Sequence, residues 1–449
     1  MEEKLHMSNS PENVMSLKDF IEKGTSPFHV VATAVEELRA AGFTELPLTA
    51  AWEIRKGGAY YVRIYDSSLV AFVVGDSYTA GSPRSLRIAA SHTDFPNLRI
   101  KPKATMKSEG YMRLNIEVYG GLIRQTWLDR PLSIAGSVAL KGADALLPEV
   151  RFVDFGRPVA TIPSLAIHMN RKVNEGVEIK PQKELLPLVG LLSGEEEAAE
   201  SDAEAFLETL AEELGVTPED ILSYELGLYV REGGESVGFA NELFSSPRLD
   251  NLTSVQAELA AIIAAKSSMS KDRQGIAAAA FFDHEEVGSG TKQGAGSLAF
   301  RDVLLRIYQA LGRTEEELFR DIAAGLMLSV DVAHGYHPAH DDKYDPTNHA
   351  RLGDGVVIKS SARQSYASDA LSIAMLKSIA ESAGVPVRQA VNHADMSGGS
   401  TLGSIASTLL PMRTLDIGVP ILAMHSARET MGAEDQASLC RLLTAFYQI

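Results

Sequence analysis

The stretch AAAAFFDHEEVGSG, residues 277–290, runs from an uninterrupted apolar segment into four consecutive ionisable residues. The apolar part is suited to a buried strand, whereas the carboxylates that follow it repel one another and resist desolvation. A bound cation is the simplest compensation for this concentration of negative charge. The stretch therefore predicts a buried strand whose end, residues 283–286, lies at a metal site.

Apolar strands alternate with helices from about residue 241 onward, with helical spacing in LTSVQAELAAIIAA and DQASLCRLLTAFY. This alternation predicts an α/β fold with a mixed, mostly parallel sheet flanked by helices on both faces. The first forty residues are also helix-like, whereas short β-like pieces and an acid-rich, helix-like segment fill the region before residue 239. We therefore predict a catalytic domain made of residues 1–96 and 239–449, with a β-rich domain of residues 97–238 inserted between them.

The overall composition limits the classes of function. The chain has 449 residues and a formal net charge of −17, from 42 basic and 59 acidic residues, which argues against nucleic acid or an anionic membrane as a partner. The single cysteine, Cys440, excludes an internal disulfide and a thiolate metal cage. No signal peptide precedes the first helix-like segment, and the apolar runs are too short to cross a membrane. We expect a cytoplasmic protein that handles small molecules or peptides.

Three further apolar runs end in metal-ligand side chains. LRIAASHTD ends at His92 and Asp94, LMLSVDVAHG ends at Asp331, and GVPILAMHSARE ends at His425. In open α/β sheets the carboxyl ends of the strands line the ligand crevice. Together with residues 283–286, these endings predict one shared site.

Asp250 adds a fifth candidate ligand, in SSPRLDNLTSVQAELA. It lies just before a clear helix, so it is either the N-cap of that helix or a metal ligand. Asn251 competes with it for the capping role. An aspartate with two usable oxygens at such a turn could bridge two cations.

The candidate ligands are two imidazoles and three carboxylates, a set that fits a pair of divalent ions such as zinc, manganese or cobalt. They are His92, Asp250, Glu286, Asp331 and His425. If Asp250 bridges, each ion receives one histidine, one terminal carboxylate and the shared aspartate. Two ions at a separation of ~3.5–4 Å activate a water and stabilise a developing tetrahedral centre.

Two more acidic residues have predicted roles beside these ligands. Glu285 remains free to act as a general base toward the attacking water. Asp94 is placed to accept a hydrogen bond from the imidazole of His92 and so to fix its tautomer. We expect Asp283 and His284 to make structural hydrogen bonds.

A set of motifs in this order resembles the aspartyl aminopeptidase family of dinuclear zinc metallopeptidases and covers about residues 91–430. The motifs are SHTDFPNLRIKP, TWLDRPLSIAG, IPSLAIHM, RLDNL, DHEEVGS, SVDVAHGYHP, QSYAS, DMSGGSTLG and LDIGVPILAMHSARET. The resemblance implies an aminopeptidase that removes an N-terminal residue, often an acidic one, from peptides. It also implies a phosphorylase-like α/β catalytic domain, an inserted β-rich assembly domain and a tetrahedral homododecamer that encloses the active sites.

The resemblance also assigns residues. The five candidate ligands match the metal positions of the family, with zinc as the expected metal, and Glu285 matches its base. His168 matches a histidine that reaches the active site of a neighbouring subunit, although its apolar surroundings alone favour a core histidine. Lys359 and Tyr366 match positions near the substrate side chain and the reaction intermediate, whereas a lysine on a strand is ordinarily a surface residue. His349 is a further candidate for lining the pocket, in a segment (334–349) that we interpret as an active-site or subunit-contact loop.

Two other functions remain open from the sequence. The first is a dinuclear N-acyl or phosphoester hydrolase, but no arginine cluster accompanies the ligands as a phosphate site would require. The second is a non-catalytic oligomeric shell protein, but all five ligand positions and Glu285 are present. The leading prediction is therefore a metallo-aminopeptidase.

Overall fold

The computed structural model describes residues 16–192, 204–267, 274–396 and 398–449. Part of the acid-rich segment and Ser397 of the DMSGGSTLG motif lie outside the described residues. The chain forms two compact units. Unit 1 takes the described residues up to Asp94 together with Gly234–Met424 and Glu429–Ile449, and unit 2 takes Phe95–Gly233 and His425–Arg428.

The predicted insertion and unit 2 have different bounds. The described residues between 97 and 233 of the predicted insertion belong to unit 2, whereas residues 234–238 belong to unit 1. Unit 2 also includes a short segment, His425–Arg428, from far along the chain. The role of residues 97–238 in assembly stays a prediction.

The strands and helices are numbered in chain order. The strands are β1 (Thr44–Glu45), β2 (Ala59–Ile64), β3 (Ser68–Val74), β4 (Leu86–His92), β5 (Asn97–Ser108), β6 (Tyr111–Tyr119), β7 (Leu132–Asp144), β8 (Leu147–Asp154), β9 (Leu188–Leu191), β10 (Ile221–Val230), β11 (Glu235–Val237), β12 (Leu243–Ser246), β13 (Ile276–Phe282), β14 (Leu326–Val330), β15 (Ala333–His334), β16 (Val356–Ser360), β17 (Val387–Val391), β18 (Arg413–Gly418), β19 (Pro420–Leu422) and β20 (Glu429–Gly432). The helices are α1 (Leu17–Lys23), α2 (Pro27–Ala40), α3 (Pro181–Glu184), α4 (Glu204–Leu214), α5 (Leu249–Ser267), α6 (Ala299–Ala310), α7 (Glu315–Ala324), α8 (Ala370–Ala383), α9 (Leu402–Leu409) and α10 (Asp435–Gln448).

Unit 1 is built on a nine-stranded sheet with the order β1-β2-β3-β13-β4-β14-β18-β16-β17. Its central strands β13, β4, β14 and β18 are parallel to one another. Strand β3 is antiparallel to both β2 and β13, and β16 is antiparallel to β18. Every residue of β4, β13 and β14 is buried, which explains their continuous apolar sequences. The predicted fold class, a mixed and mostly parallel α/β sheet with helices around it, is confirmed.

The register of the central strands brings their carboxyl ends to one edge of the sheet. Phe282 of β13 is opposite His92 of β4, and Ser329 of β14 is opposite Ala90. The residues that follow β13 and β14 therefore lie near His92. The backbone N–H of Asp331 donates to the carbonyl oxygen of Ile417, 2.8 Å away, so the neighbouring strand holds the main chain of Asp331.

Helices complete the packing of unit 1. Helix α5 is buried along its length up to Ala265 and packs against β4, β13 and α10. Helix α6 contributes Leu304 and Ile307 to a core that also contains Ile88 and Ala278 of the sheet. The helix ends follow local sequence signals: the Ser26 side chain caps α2, and Thr314 forms a capping box with Glu317 at the start of α7.

A second sheet of unit 1 corrects one prediction from the sequence. The apolar run before His425 is not a strand of the central sheet that ends at this residue. Its first residue, Gly418, closes β18, and β19 then joins a five-stranded sheet with the order β11-β12-β20-β19-β15 and ends at Leu422. A run of apolar residues does not distinguish these two sheets, because β19 also buries apolar side chains, those of Pro420 and Ile421.

Unit 2 contains a six-stranded antiparallel sheet with the order β8-β7-β10-β5-β6-β9. Its core includes Leu98, Ile134 and Leu228 from the sheet and Phe206 and Leu210 from α4. Among the residues that the structure describes, no helix is long and apolar enough to span a membrane.

Candidate metal centre

Three predicted ligands of unit 1 meet at the carboxyl edge of the central sheet. One ligand atom each of His92, Asp250 and Asp331 lies within 4.8 Å of the others. The Nε2 atom of His92 is 3.4 Å from Oδ1 of Asp250 and 3.6 Å from Oδ1 of Asp331. All three side chains are largely buried, so their mutual approach is not a feature of a solvated surface.

This donor set fits zinc. Two atoms about 2.1 Å from one zinc ion at a tetrahedral angle lie about 3.4 Å apart, close to the separations of Nε2 of His92 from the two carboxylates. One imidazole and two carboxylates are also ligands that zinc accepts. The two separations from His92 are therefore compatible with a zinc ion bound by these three residues.

The electrostatics at His92 favour positive charge at this position. Burial by itself would lower the pKa of the imidazole, but hydrogen bonds to the carboxylates of Asp250 and Asp331 raise the pKa of His92 well above its ordinary value. On the other side of the ring, Nδ1 is 3.0 Å from the backbone oxygen of Asp94 and 3.4 Å from its Oδ1. These contacts are of the kind that fix the tautomer of a metal-binding histidine.

Asp94 has a second function that the sequence did not reveal. Its two carboxylate oxygens accept the backbone N–H groups of Glu285 and Glu286, at 3.0 and 3.1 Å. It therefore ties the end of β4 to the short turn that carries both glutamates. The left-handed backbone of His284 (φ 62°) directs the chain from β13 into this turn.

Glu285 lies beside the three ligands. Its Oε2 is 4.0 Å from Nε2 of His92, and its side chain is 14% exposed. Burial raises the pKa of the Glu285 carboxyl to about 8, with His92 opposing the shift and Asp331 adding to it. A carboxylate with a raised pKa accepts a proton more readily near neutral pH.

The remaining predicted ligands, Glu286 and His425, belong to different units. One oxygen of Glu286 lies within 4.8 Å of one oxygen of Asp250. His425 belongs to unit 2, where its Nδ1 is 3.1 Å from the backbone oxygen of Gly121. Its role as a ligand of a second ion stays a prediction.

The neighbouring residues Asp283 and His284 make the structural hydrogen bonds expected of them. Ser68 Oγ accepts the backbone N–H of Asp283 at 2.9 Å, and Oδ1 of Asp283 accepts the backbone N–H of His284 at 2.7 Å. Nδ1 of His284 is 2.9 Å from the hydroxyl of Thr291. Burial raises the pKa of the Asp283 carboxyl to about 6, with the nearby Asp94 adding to the shift.

A cavity of about 270 Å³ in unit 1 contains three of the predicted substrate-binding residues, Lys359, Tyr366 and His349. It is also lined by a second lysine, Lys343, and by the rings of His334, Tyr344 and His393. No aspartate or glutamate is among the described lining residues. The cavity therefore combines cationic and neutral polar groups.

Lys359 is a buried lysine of β16 and not a surface residue. Its Nζ is 3.5 Å from Oδ2 of Asp331 and donates to the backbone oxygen of Val332 at 3.1 Å. Burial would lower the pKa of its ammonium, but the charge of Asp331 helps to raise the pKa of Lys359 above its ordinary value. The side chain is thus held as a cation between the cavity and the ligand cluster.

Asp416 organises the wall of this cavity, and no sequence pattern marked it. It lies opposite Lys359 in the pairing of β16 with β18 and is buried. Its Oδ2 accepts the backbone N–H of Ala367 at 2.6 Å, and its Oδ1 accepts the hydroxyl of Thr401. Through Ala367 it fixes the loop that carries Tyr366.

His349 and its segment form a loop at the cavity. Nδ1 of His349 is 2.8 Å from the backbone oxygen of Asp345, and its ring stacks on Tyr336 with centroids 4.4 Å apart. Within the described part of the chain, no histidine of residues 334–349 belongs to a group of three metal-ligating side chains. The segment is therefore a loop that contributes to the cavity wall.

His168 is exposed, so its interpretation as a core histidine is wrong. It lies in unit 2, in a segment without regular strands whose apolar neighbours also face outward. Leu165 is 58% exposed, Ile167 49% and Met169 76%. The apolar sequence that suggested a core is instead an exposed apolar surface.

Comparisons with known proteins agree on one family. The family described as aminopeptidase I zinc metalloprotease (M18) matches residues 20–447 of the chain. A relative from Clostridium novyi (strain NT), named "Probable M18 family aminopeptidase 2", is 42% identical over 444 residues, which cover 99% of this chain and all of the relative.

Solved structures give the same result. A chain of the Ape4 and Nbr1 complex, solved by cryo-EM, matches with a TM-score of 0.92 and 34% identity, covering 96% of this chain and 84% of that chain. A structure described as the S. cerevesiae mApe1 dodecamer matches with a TM-score of 0.82 and 25% identity, covering 96% and 95%.

The chain belongs to the M18 family of zinc metalloproteases. It is a metallo-aminopeptidase, the class of enzyme that the motifs predicted, and zinc is the metal of its family. The alternative of a non-catalytic shell protein has no support from these relatives.

Proposed function

We propose that this enzyme removes an acidic N-terminal residue from short peptides, with two zinc ions and Glu285 at its active site. The observation that carries the proposal is the cluster of His92, Asp250 and Asp331 beside a cavity lined by lysine and histidine side chains. The cluster is suited to metal-dependent hydrolysis, and the cavity is suited to a substrate side chain of negative charge.

Five side chains would hold the ions. His92 and Asp331 would serve one ion and Glu286 and His425 the other, with Asp250 shared between them, and cobalt or manganese could replace zinc at such ligands. Zinc, when bound, activates a water and polarises the scissile carbonyl. The proximity of Asp250 to both His92 and Glu286 supports its bridging role.

Glu285 would move the proton in each half of the reaction. Its carboxylate accepts a proton from the attacking water as the oxygen of that water bonds to the carbonyl carbon. The carboxyl then donates the proton to the nitrogen of the departing amine as the C–N bond breaks. Its burial beside His92 and its raised pKa support this role. Asp94 keeps Glu285 in place through the backbone hydrogen bond at 3.0 Å.

The cavity would select the substrate. The Lys359 ammonium is buried, so a charge-assisted contact with an aspartyl or glutamyl side chain would be screened little by water. Tyr366, which also lines the cavity, would donate its hydroxyl proton in a hydrogen bond to the oxyanion of the intermediate. His349 would line the same cavity.

Self-association would complete the active site. We propose a tetrahedral homododecamer in the cytoplasm, in which His168 of one subunit reaches the active site of another. The exposure of His168 among exposed apolar residues supports an interface there, and the yeast relative is described as a dodecamer. Enclosure within such a particle would restrict access to short, unfolded peptides.

A panel of aminoacyl p-nitroanilides tests the proposed function. The zinc-loaded enzyme should release p-nitroaniline from aspartyl and glutamyl substrates faster than from leucyl and lysyl substrates. Glu285→Gln, which keeps the size of the side chain and removes the base, is the matched control and should lose activity by about 10²–10⁴-fold. Equal rates with acidic and basic substrates would contradict the proposed specificity, and full activity of Glu285→Gln would contradict the proposed base.

A further inference from the structure

Glu429 is a buried carboxylate in unit 1 that contacts the main chain of a candidate ligand. It is 2% exposed, and its Oε2 accepts the backbone N–H of Asp250 at 3.0 Å. This hydrogen bond is made to the peptide group and leaves the Asp250 carboxylate directed at Nε2 of His92, 3.4 Å away.

The position of Glu429 is fixed by a sheet. Glu429 opens β20, which pairs antiparallel with β12, and the register sets Glu429 opposite Ser246. Strand β12 in turn leads within a few residues to Leu249 and Asp250. The acceptor thus lies in β20, and the donor follows closely after β12, the strand paired with it.

The turn that carries Asp250 has a second anchor. Asp250 (φ −79°, ψ 105°) and Asn251 (φ −123°, ψ 29°) have non-helical backbone angles within α5. The side-chain amide of Asn251 donates to the backbone oxygen of Val330 at 2.9 Å, one residue before Asp331. Asn251 therefore joins this turn to the strand of a second ligand, while Glu429 holds it from the side of β20.

We propose that Glu429 is a positioning residue for the metal centre. By accepting the backbone N–H of Asp250, it keeps the Asp250 carboxylate close enough to His92 and Asp331 for the three side chains to share one metal ion. This inference rests on the proposed function, because it assumes that Asp250 binds zinc. It requires the hydrogen bond of Glu429 and not its negative charge.

Two conservative variants separate the hydrogen bond from the charge. Glu429→Gln keeps a carbonyl oxygen at the same reach and loses the charge, whereas Glu429→Asp keeps the charge and is one methylene too short to reach the Asp250 N–H. Zinc affinity of the metal-free full-length protein is measured by competition with a chromophoric chelator. Loss of a residue that orients a ligand typically costs about 10–100-fold in metal affinity, so we expect that loss for Glu429→Asp and wild-type affinity for Glu429→Gln.

A structural readout and a matched control accompany the titration. The backbone amide of Asp250 should exchange its hydrogen faster in Glu429→Asp than in the wild type, and at the wild-type rate in Glu429→Gln. The control is Asp321 of α7, which is also a buried carboxylate that accepts a backbone N–H. Its donor is Gly81, 2.7 Å away, which precedes the start of β4, whereas the ligand His92 ends that strand. Asp321→Asn should lower the melting temperature of the metal-free protein without changing its zinc affinity.

Each outcome decides the inference. Wild-type zinc affinity in Glu429→Asp would overturn it, and so would equal losses in Glu429→Asp and Glu429→Gln, which would indicate that charge is what matters. Wild-type protein that fails to bind zinc would overturn the proposed function, and this inference with it. Zinc binding by the wild type with no effect of Glu429→Asp would overturn the inference alone.

Discussion

Replacing Lys359 with methionine removes one cation from the cavity and keeps an unbranched side chain of similar length. Lys359 is 5% exposed, and its Nζ lies 3.5 Å from Oδ2 of Asp331. The variant should therefore lose the contact with an acidic substrate side chain while the apolar packing of β16 is kept. We expect a selective loss of activity toward acidic substrates.

The size of this loss follows from the burial of the ammonium. A hydrogen bond between a charged donor and acceptor contributes about 1.5–3 kcal/mol. Since about 1.36 kcal/mol corresponds to a factor of ten in rate, kcat/KM for an aspartyl substrate should fall about 10- to 150-fold relative to a leucyl substrate. The ratio is the relevant quantity, because any effect on Asp331 alters both substrates alike.

The assay compares aspartyl and leucyl p-nitroanilides with the wild type, Lys359→Met and a matched control. Lys343→Met is that control, because Lys343 lines the same cavity but is 54% exposed and already pairs with Asp342 at 2.8 Å. An exposed ion pair contributes about 0–1 kcal/mol, so Lys343→Met should change the ratio little. An unchanged ratio in Lys359→Met, or equal changes in both variants, would show that Lys359 does not contact the substrate side chain.

Three further predictions concern the base, its anchor and assembly. Glu285→Gln should lower kcat by about 10²–10⁴-fold with zinc content unchanged, and normal kcat would remove Glu285 from the mechanism. Asp94→Asn leaves only one oxygen to accept the two backbone N–H groups of Glu285 and Glu286, so kcat/KM should fall about 10–100-fold. Wild-type kinetics would show that the turn with these glutamates needs no anchor. Ile167→Asp together with Met169→Asp places charge in the exposed apolar segment of unit 2 and should reduce particle size in light scattering at unchanged circular dichroism, whereas an intact particle would locate the interface elsewhere.

The sequence predicted the parts of the site that follow continuous apolar strands. His92 ends β4, Asp331 follows β14, and the residues 283–286 follow β13, because buried parallel strands give unbroken apolar runs and deliver their next residues to one edge. The motif resemblance then supplied the family. The residues around Asp250 leave two alternatives, since a turn before a helix looks the same whether its aspartate caps the helix or binds a metal, and only the resemblance assigns Asp250 to a metal position.

The supporting residues were not predictable, because their partners are distant in sequence. Glu429 is 179 positions from Asp250, and Asp416 is 49 positions from Ala367. The apolar neighbours of His168 predict burial for a different reason, since such residues are equally suited to an interface, and only the resemblance points away from the core. Likewise, the apolar run before His425 did not reveal which of two sheets it joins.

Anomalous diffraction at the zinc edge, from crystals of the zinc-loaded enzyme, tests most directly whether the cluster at the ends of β4 and β14 binds zinc. We expect two peaks about 3.5–4 Å apart, with the carboxylate of Asp250 between them. One peak should lie about 2.0–2.2 Å from Nε2 of His92 and from an oxygen of Asp331. Zinc peaks only at other places, with none at His92, would show that this cluster is not the metal site.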